Sequence, residues 1–403
     1  MRLLFGPLLV ACLVVPVGPA AAAPPTCEGQ AATIVGNRDQ TVTGTEGPDV
    51  IVTAGAYRVD AGAGDDVICA TGDRQVYVDL GPGRDVFRGG AAPSRVVAES
   101  EAGRYVDDVV TGASSDAIEV AGDGMAEDAR IDLGGGDQQW LILETTPVHV
   151  AVDATRGEAS VAGERRWWWT GPVRRYEVVA AARVDFQGTD GPEALVLDDI
   201  EDVTPGGHPA GPGAVRMGGG DDYLAIGASG AADGTLDGGA GTDSLTVTAL
   251  QGHTSVDLGD GAVELPTGTR TAFAGMEKHT LRTRRVTVRG SDQGDALDVV
   301  ACRADIRTGR GDDTITSWQY WGASGDGILP VVPSCGHHDV VDAGPGADRV
   351  STHSGRDVLR GGPGHDDLRA GKQRDRVHGG AGRDRCGGGE TTSACEVRIR
   401  ADR

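Results

Sequence analysis

Gly361-Gly362-Pro363-Gly364-His365-Asp366-Asp367-Leu368-Arg369 is the stretch that decides the fold. It is the clearest of six consecutive nonapeptides running from Ser334 to Gly387. Asp339, Asp348, Asp357, Asp366, Asp375 and Asp384 follow one another at intervals of nine residues. Two residues after each Asp comes an apolar position: Val341, Val350, Leu359, Leu368, Val377 and Cys386. A Gly-rich hexapeptide turns easily, because glycine accepts positive φ. The triplet that follows, with one apolar residue at its centre, suits a short strand whose middle side chain faces inward. One such unit cannot bury its apolar face alone, so the units must stack. No segment shows sustained helical periodicity, and little helix is expected.

The repeat resembles the G-G-x-G-x-D-x-U-x unit of the RTX, or hemolysin-type calcium-binding, family. That resemblance implies an all-β fold, a right-handed parallel β-roll or β-solenoid with two nonapeptides in each coil of ~18 residues. It also implies Ca²⁺ as the bound ion. Ca²⁺ takes roughly six to eight oxygens, which stacked Asp carboxylates and Gly carbonyls can supply. Without the ion, an Asp ladder repels itself.

Alternate nonapeptides then lie on the same side of the roll, and the two sides differ. Ala343 to Asp348, Gly361 to Asp366 and Gly379 to Asp384 keep the second and fourth glycines, namely Gly344, Gly346, Gly362, Gly364, Gly380 and Gly382. The turns ending at Asp339, Asp357 and Asp375 have each lost at least one of them. Ordered Ca²⁺ is therefore expected mainly along the first side, between Asp348, Asp366 and Asp384.

The motif recurs upstream with gaps. Gly44 to Asp49, Ala61 to Asp66 and Leu80 to Asp85 place carboxylates 17 and 19 residues apart, near one coil, with plain half-coils between them. The middle holds a drifted duplication: Val152-Asp153 parallels Val256-Asp257, 104 residues on, and Gly188 to Leu195 parallels Gly290 to Leu297. Gln138 and Glu193 occupy places where the motif wants Asp, and Gln293 one where it wants Gly. Good matches there end at Asp222, Asp243 and Asp313. The expected organisation is a signal peptide at 1–23, an N-terminal calcium-binding β-roll at 24–111 and a degenerate solenoid with the two copies at 112–306. An insertion with a Trp cluster follows at 307–333, then a C-terminal nonapeptide roll with a disulfide cap at 334–403.

Composition narrows the partners. The chain has 403 residues, 65 of them Gly, and a formal net charge of −23. That charge suits a cation binder and argues against nucleic acid, whose phosphates call for Lys and Arg. Arg2, the apolar stretch Leu3 to Val17 and the small residues Ala20 to Ala23 read as a secretory signal. No other apolar run is long enough for a membrane span. Six cysteines remain after the signal: Cys27, Cys69, Cys302, Cys335, Cys386 and Cys395. An even count in an exported chain points to disulfides, and clustering favours pairing of neighbours among the many connectivities open.

Trp167, Trp168 and Trp169 sit between arginines in an aromatic-poor chain, and Trp318, Tyr320 and Trp321 form a second cluster. Such aromatics suit a glycan or cell-surface partner if exposed, and otherwise cover the open side of an irregular coil. Gly336-His337-His338-Asp339 offers transition-metal ligands, but its Asp is already a repeat position. No G-x-S-x-G, H-E-x-x-H or phosphate-binding loop appears, so no catalytic residue is assigned. The sequence thus reads as a secreted calcium-binding repeat protein, structural or adhesive and not an enzyme. A surface- or glycan-binding module is the alternative, and a polysaccharide-active β-helix enzyme a more distant one.

Overall fold

Three-residue strands with one inward apolar residue stack in register. Arg349–Ser351, Asp367–Arg369 and Arg385–Gly387 pair in parallel, so that Ile315, Val350, Leu368 and Cys386 form one row. Ile306, Val341, Leu359 and Val377 form the facing row. All eight are at most 2% exposed. Each coil gives one strand to each of two sheets, and the two inner rows meet as a continuous apolar core. The computed structural model describes residues 23–98, 105–122, 124–145, 148–197, 211–227, 233–318 and 335–399. The expected signal segment, Tyr320 and Trp321 lie outside these residues, apart from Ala23. Among the described residues there is no helix, and hence none able to cross a membrane.

The first sheet begins at Thr41–Thr45 and runs by parallel pairing through Trp140–Glu144, Tyr223–Gly227 and Thr314–Ser317 to Val397–Ile399. On the second side, Ile34–Val35 to Arg130–Asp132 form a separate six-stranded parallel sheet, and farther along parallel pairing runs from Ala296–Arg307 through His338–Asp342 to Thr391–Ser393. Two twelve-residue strands, Lys278–Arg289 and Ala296–Arg307, pass through both sheets and pair with each other along their length. Two stretches of the middle each carry an antiparallel three-stranded flap. One is His149–Asp153, Glu158–Val161 and Glu164–Trp168. The other is Thr254–Asp257, Ala262–Glu264 and Arg270–Ala274.

The flap decides the fate of the Trp triplet. Alternation puts Trp167 and Trp169 inside, at 0% and 5% exposed, against Tyr105 and Tyr176 with ring centroids 5.9 Å apart in each pair. Only Trp168 lies partly open, under the guanidinium of Arg165. The expected glycan contact through Trp167 and Trp169 is corrected accordingly: these rings are core. The cysteines pair as neighbours, Cys27–Cys69, Cys302–Cys335 and Cys386–Cys395.

Candidate metal centre

The last residue of each hexapeptide turn sits just before a strand, and its carboxylate reaches back along the stack. Its Oδ1 accepts the backbone N–H of the matching Asp one coil earlier. Asp348 N–H donates to Asp366 Oδ1 and Asp366 N–H to Asp384 Oδ1, each at 3.0 Å. Asp313 donates in the same way to Asp348 at 2.9 Å. The N-terminal carboxylates do likewise, Asp49 to Asp66 at 2.7 Å and Asp66 to Asp85 at 2.8 Å, as do Asp222 and Asp243 at 2.8 Å.

The second oxygen is the informative one. Oδ2 of Asp66, Asp85, Asp222, Asp243, Asp313, Asp348, Asp366 and Asp384 is buried with no hydrogen-bond partner. Such a buried acceptor is costly unless something positive meets it. Burial pushes Asp66 and Asp313 up to about 6, Asp348 to about 7 and Asp85 to about 8, with neighbouring carboxylates adding to the rise. A proton or a cation is therefore favoured at each.

The turn glycines face the same column. A Cβ on Gly364 would fall 1.5 Å from the carbonyl oxygen of Gly346, and one on Gly382 would fall 1.6 Å from that of Gly364. Gly362 and Gly380 meet the carbonyls of Gly344 and Gly362 in the same way, at 2.1 and 1.8 Å. Gly362 has φ +120° and Gly364 +156°, conformations that L side chains avoid. The turns pair directly, Gly346 with Gly364 and Gly364 with Gly382. No group of three or more His, Cys, Asp or Glu side chains converges among the described residues. An ion here would draw on backbone carbonyls as well as single carboxylates. An all-oxygen, acceptor-only column fits a hard cation such as Ca²⁺.

The expected sites do not all share this geometry. Asp49 has both oxygens occupied, Oδ1 by the Thr33 hydroxyl at 3.0 Å and Oδ2 by the Thr45 N–H and hydroxyl at 2.8 Å. On the other side of the C-terminal roll, Asp357 and Asp375 also carry a partnerless buried Oδ2. The carboxylates alone do not separate the two sides there; the turns do. His353 takes the second position before Asp357, and Gln373 takes the fourth before Asp375 with φ +88°.

Several ladder residues were missed or misplaced in the sequence. Gln139, not Gln138, takes the Asp position. Its Oε1 accepts Asp116 N–H at 2.9 Å while its Nε2 donates to the Ser114 carbonyl at 2.9 Å, because that turn is one residue longer. Asp116 is itself a ladder residue: its Oδ1 accepts the Ser94 N–H at 2.7 Å, and its buried Oδ2 has no partner. Glu277 and Glu396 end two runs by accepting the N–H of Asp243 at 2.8 Å and of Asp384 at 2.7 Å. The signal for both was only a carboxylate immediately before a strand, without the paired glycines of the motif. The ladders also change sheets. Asp49, Asp66 and Asp85 precede strands of the second sheet, whereas Asp222 to Asp384 precede strands of the first.

Fold and column together define a two-sheet parallel solenoid with carboxylates stacked at its turns. Residues 336–368 and 360–390 match the family described as RTX calcium-binding nonapeptide repeat (4 copies), and the C-terminal array is made of such repeats. No curated protein matches the chain.

Proposed function

We propose that the protein is a secreted scaffold that folds around Ca²⁺ and performs no chemistry of its own. The observation that carries this reading is the row of buried, donor-free Oδ2 atoms aligned with turn carbonyls. Asp66, Asp85, Asp222, Asp243, Asp313, Asp348, Asp366 and Asp384 would hold the ions, with the carbonyls of Gly344, Gly346, Gly362, Gly364, Gly380 and Gly382 in the C-terminal run. Calcium would supply the positive charge that these oxygens lack. Asp49, already saturated, is left out of the loaded set. Three disulfides and a signal-like start support an oxidising destination outside the cytosol. There calcium is abundant, and ligand linkage would hold the roll folded.

Calcium titration of the full chain by calorimetry, with circular dichroism before and after chelation, tests the reading. Several bound ions and a loss of β signal on chelation are expected. No binding, with β signal unchanged, would sink it.

A further inference from the structure

Two kinds of turn share the ladder. In the open kind the second position is glycine at positive φ, as at Gly62, Gly218, Gly309 and Gly362, and the ladder Oδ2 has no partner. In the other kind the second position is Thr or Ser: Gly44-Thr45-Glu46-Gly47-Pro48-Asp49, Gly188-Thr189-Asp190-Gly191-Pro192-Glu193 and Gly290-Ser291-Asp292-Gln293-Gly294-Asp295. None of these three turns places its second or fourth residue at positive φ.

The hydrogen bonds of the three are alike. Thr45 gives its N–H and its hydroxyl to Asp49. Thr189 gives its N–H to Glu193 Oε2 at 3.1 Å and its hydroxyl to Oε1. Ser291 gives its N–H to Asp295 Oδ2 and its hydroxyl to Oδ1, both at 2.9 Å. In each turn the fourth residue's N–H also reaches the hydroxyl oxygen, from Gly47, Gly191 and Gln293 at 3.3, 3.1 and 3.0 Å. Donors that the protein supplies itself thus occupy the oxygens that the open turns leave bare. The placement is regular as well. Asp49 precedes Asp66 and Asp85, Glu193 precedes Asp222 and Asp243, and Asp295 precedes Asp313, Asp348, Asp366 and Asp384. In each case the sealed residue donates its N–H to the first open Asp.

We infer that a Ser or Thr at the second turn position closes that turn to calcium. Thr45, Thr189 and Ser291 thereby divide the ladder into three calcium-binding runs, each opening on a turn that holds its shape without an ion. This rests on the calcium reading above and adds to it which turns are excluded, and by which atoms.

The test counts ions. Thr45→Gly restores the complete motif, and the full chain carrying it is titrated with calcium chloride beside the unaltered chain. One additional bound ion per chain is expected. An unchanged count, where the unaltered chain does bind, overturns the seal while leaving the calcium reading intact. No binding by the unaltered chain overturns the calcium reading itself. Should Thr45→Gly not fold, Thr189→Gly with Glu193→Asp makes the same comparison in the middle run. Ser291→Ala in chelator provides a second readout. Its melting temperature should fall by about 2 °C or more, because a buried carboxylate oxygen loses its donor. An unchanged melting temperature would show that the hydroxyl seals nothing.

Discussion

The N-terminal and C-terminal rolls use one motif in two ways. Up to Asp85 the carboxylates occupy one side only. The opposite turns are tied by surface ion pairs, Arg38 with Asp73 and Arg74 with Asp39. Such exposed pairs contribute little to stability, but they need no metal. The C-terminal roll stacks carboxylates on both sides, Asp313 to Asp384 on one and Asp339, Asp357 and Asp375 on the other. Twice the ladder means twice the uncompensated negative charge when the ion is absent. The C-terminal roll should therefore be the part that calcium governs most.

Chelation should produce the largest effect. Hydrogen exchange measured with and without chelator is expected to lose most protection across 335–399, less across 41–98, and least across 148–197, where Thr189 and the buried Trp167 and Trp169 need no ion. Uniform loss along the chain would erase the comparison.

Within the C-terminal roll, Asp366→Asn should weaken calcium binding about tenfold or more, since a charged ligand is lost. Asp357→Asn should cost clearly less, because His353 replaces the glycine of its turn. Equal losses would place ions on both sides.

Disulfides separate the two ends by a smaller margin. Cys27–Cys69 spans 42 residues and Cys386–Cys395 spans nine. On loop entropy alone these differ as about 4 against about 3 kcal/mol. Paired Ser substitutions, followed by denaturant melts in saturating calcium, should show the N-terminal pair to be the costlier loss.

The chelated protein should also respond to pH in a region-specific way. Raised carboxyl values favour folding below the ordinary carboxylate range, near 4, and that contribution disappears as pH rises through the folded values. Asp348 reaches about 7 and Asp85 about 8. Without calcium, stability should fall from pH 5 to pH 8, with Asp85 in the first coils still adding to the fall above pH 7, where the contribution of Asp348 has levelled off. Melting curves that rise over this interval would reverse the sign.

His279 supplies the smallest effect, and it has the opposite sign. Buried beside Phe273 with no partner for either ring nitrogen, it is held down to about 4. Its contribution is present above its ordinary pKa near 6.5 and is lost as pH falls toward 4. His279→Leu should remove that acid sensitivity from the middle of the chain while leaving calcium binding unchanged.

Much of this was legible in the residues. Spacings of nine gave both the inner rows and the ladder, because one Asp and one apolar residue per nonapeptide leave little freedom in how coils stack. The cysteine pairing followed from clustering. What the pattern concealed was side and saturation. Asp49 carries the motif's Asp, yet Thr33 and Thr45 fill its oxygens, and a motif does not show a hydroxyl folding back across four residues. Gln139 was missed by one position because its turn is longer. The Trp triplet misled because arginines flank it, whereas strand alternation in the flap turns two of the three rings inward.

The ladder hydrogen bond also has a direction. Each N–H belongs to the earlier coil and each accepting oxygen to the later one, so a run can be lengthened or shortened by whole coils without altering either end. The final N–H must still be answered, and Glu396, next to Cys395 of the terminal disulfide, answers it for Asp384. The solenoid is thus a ruler with a fixed end-stop. Duplicating one coil between Asp313 and Asp384 changes its length, while deleting the last few residues takes away the stop.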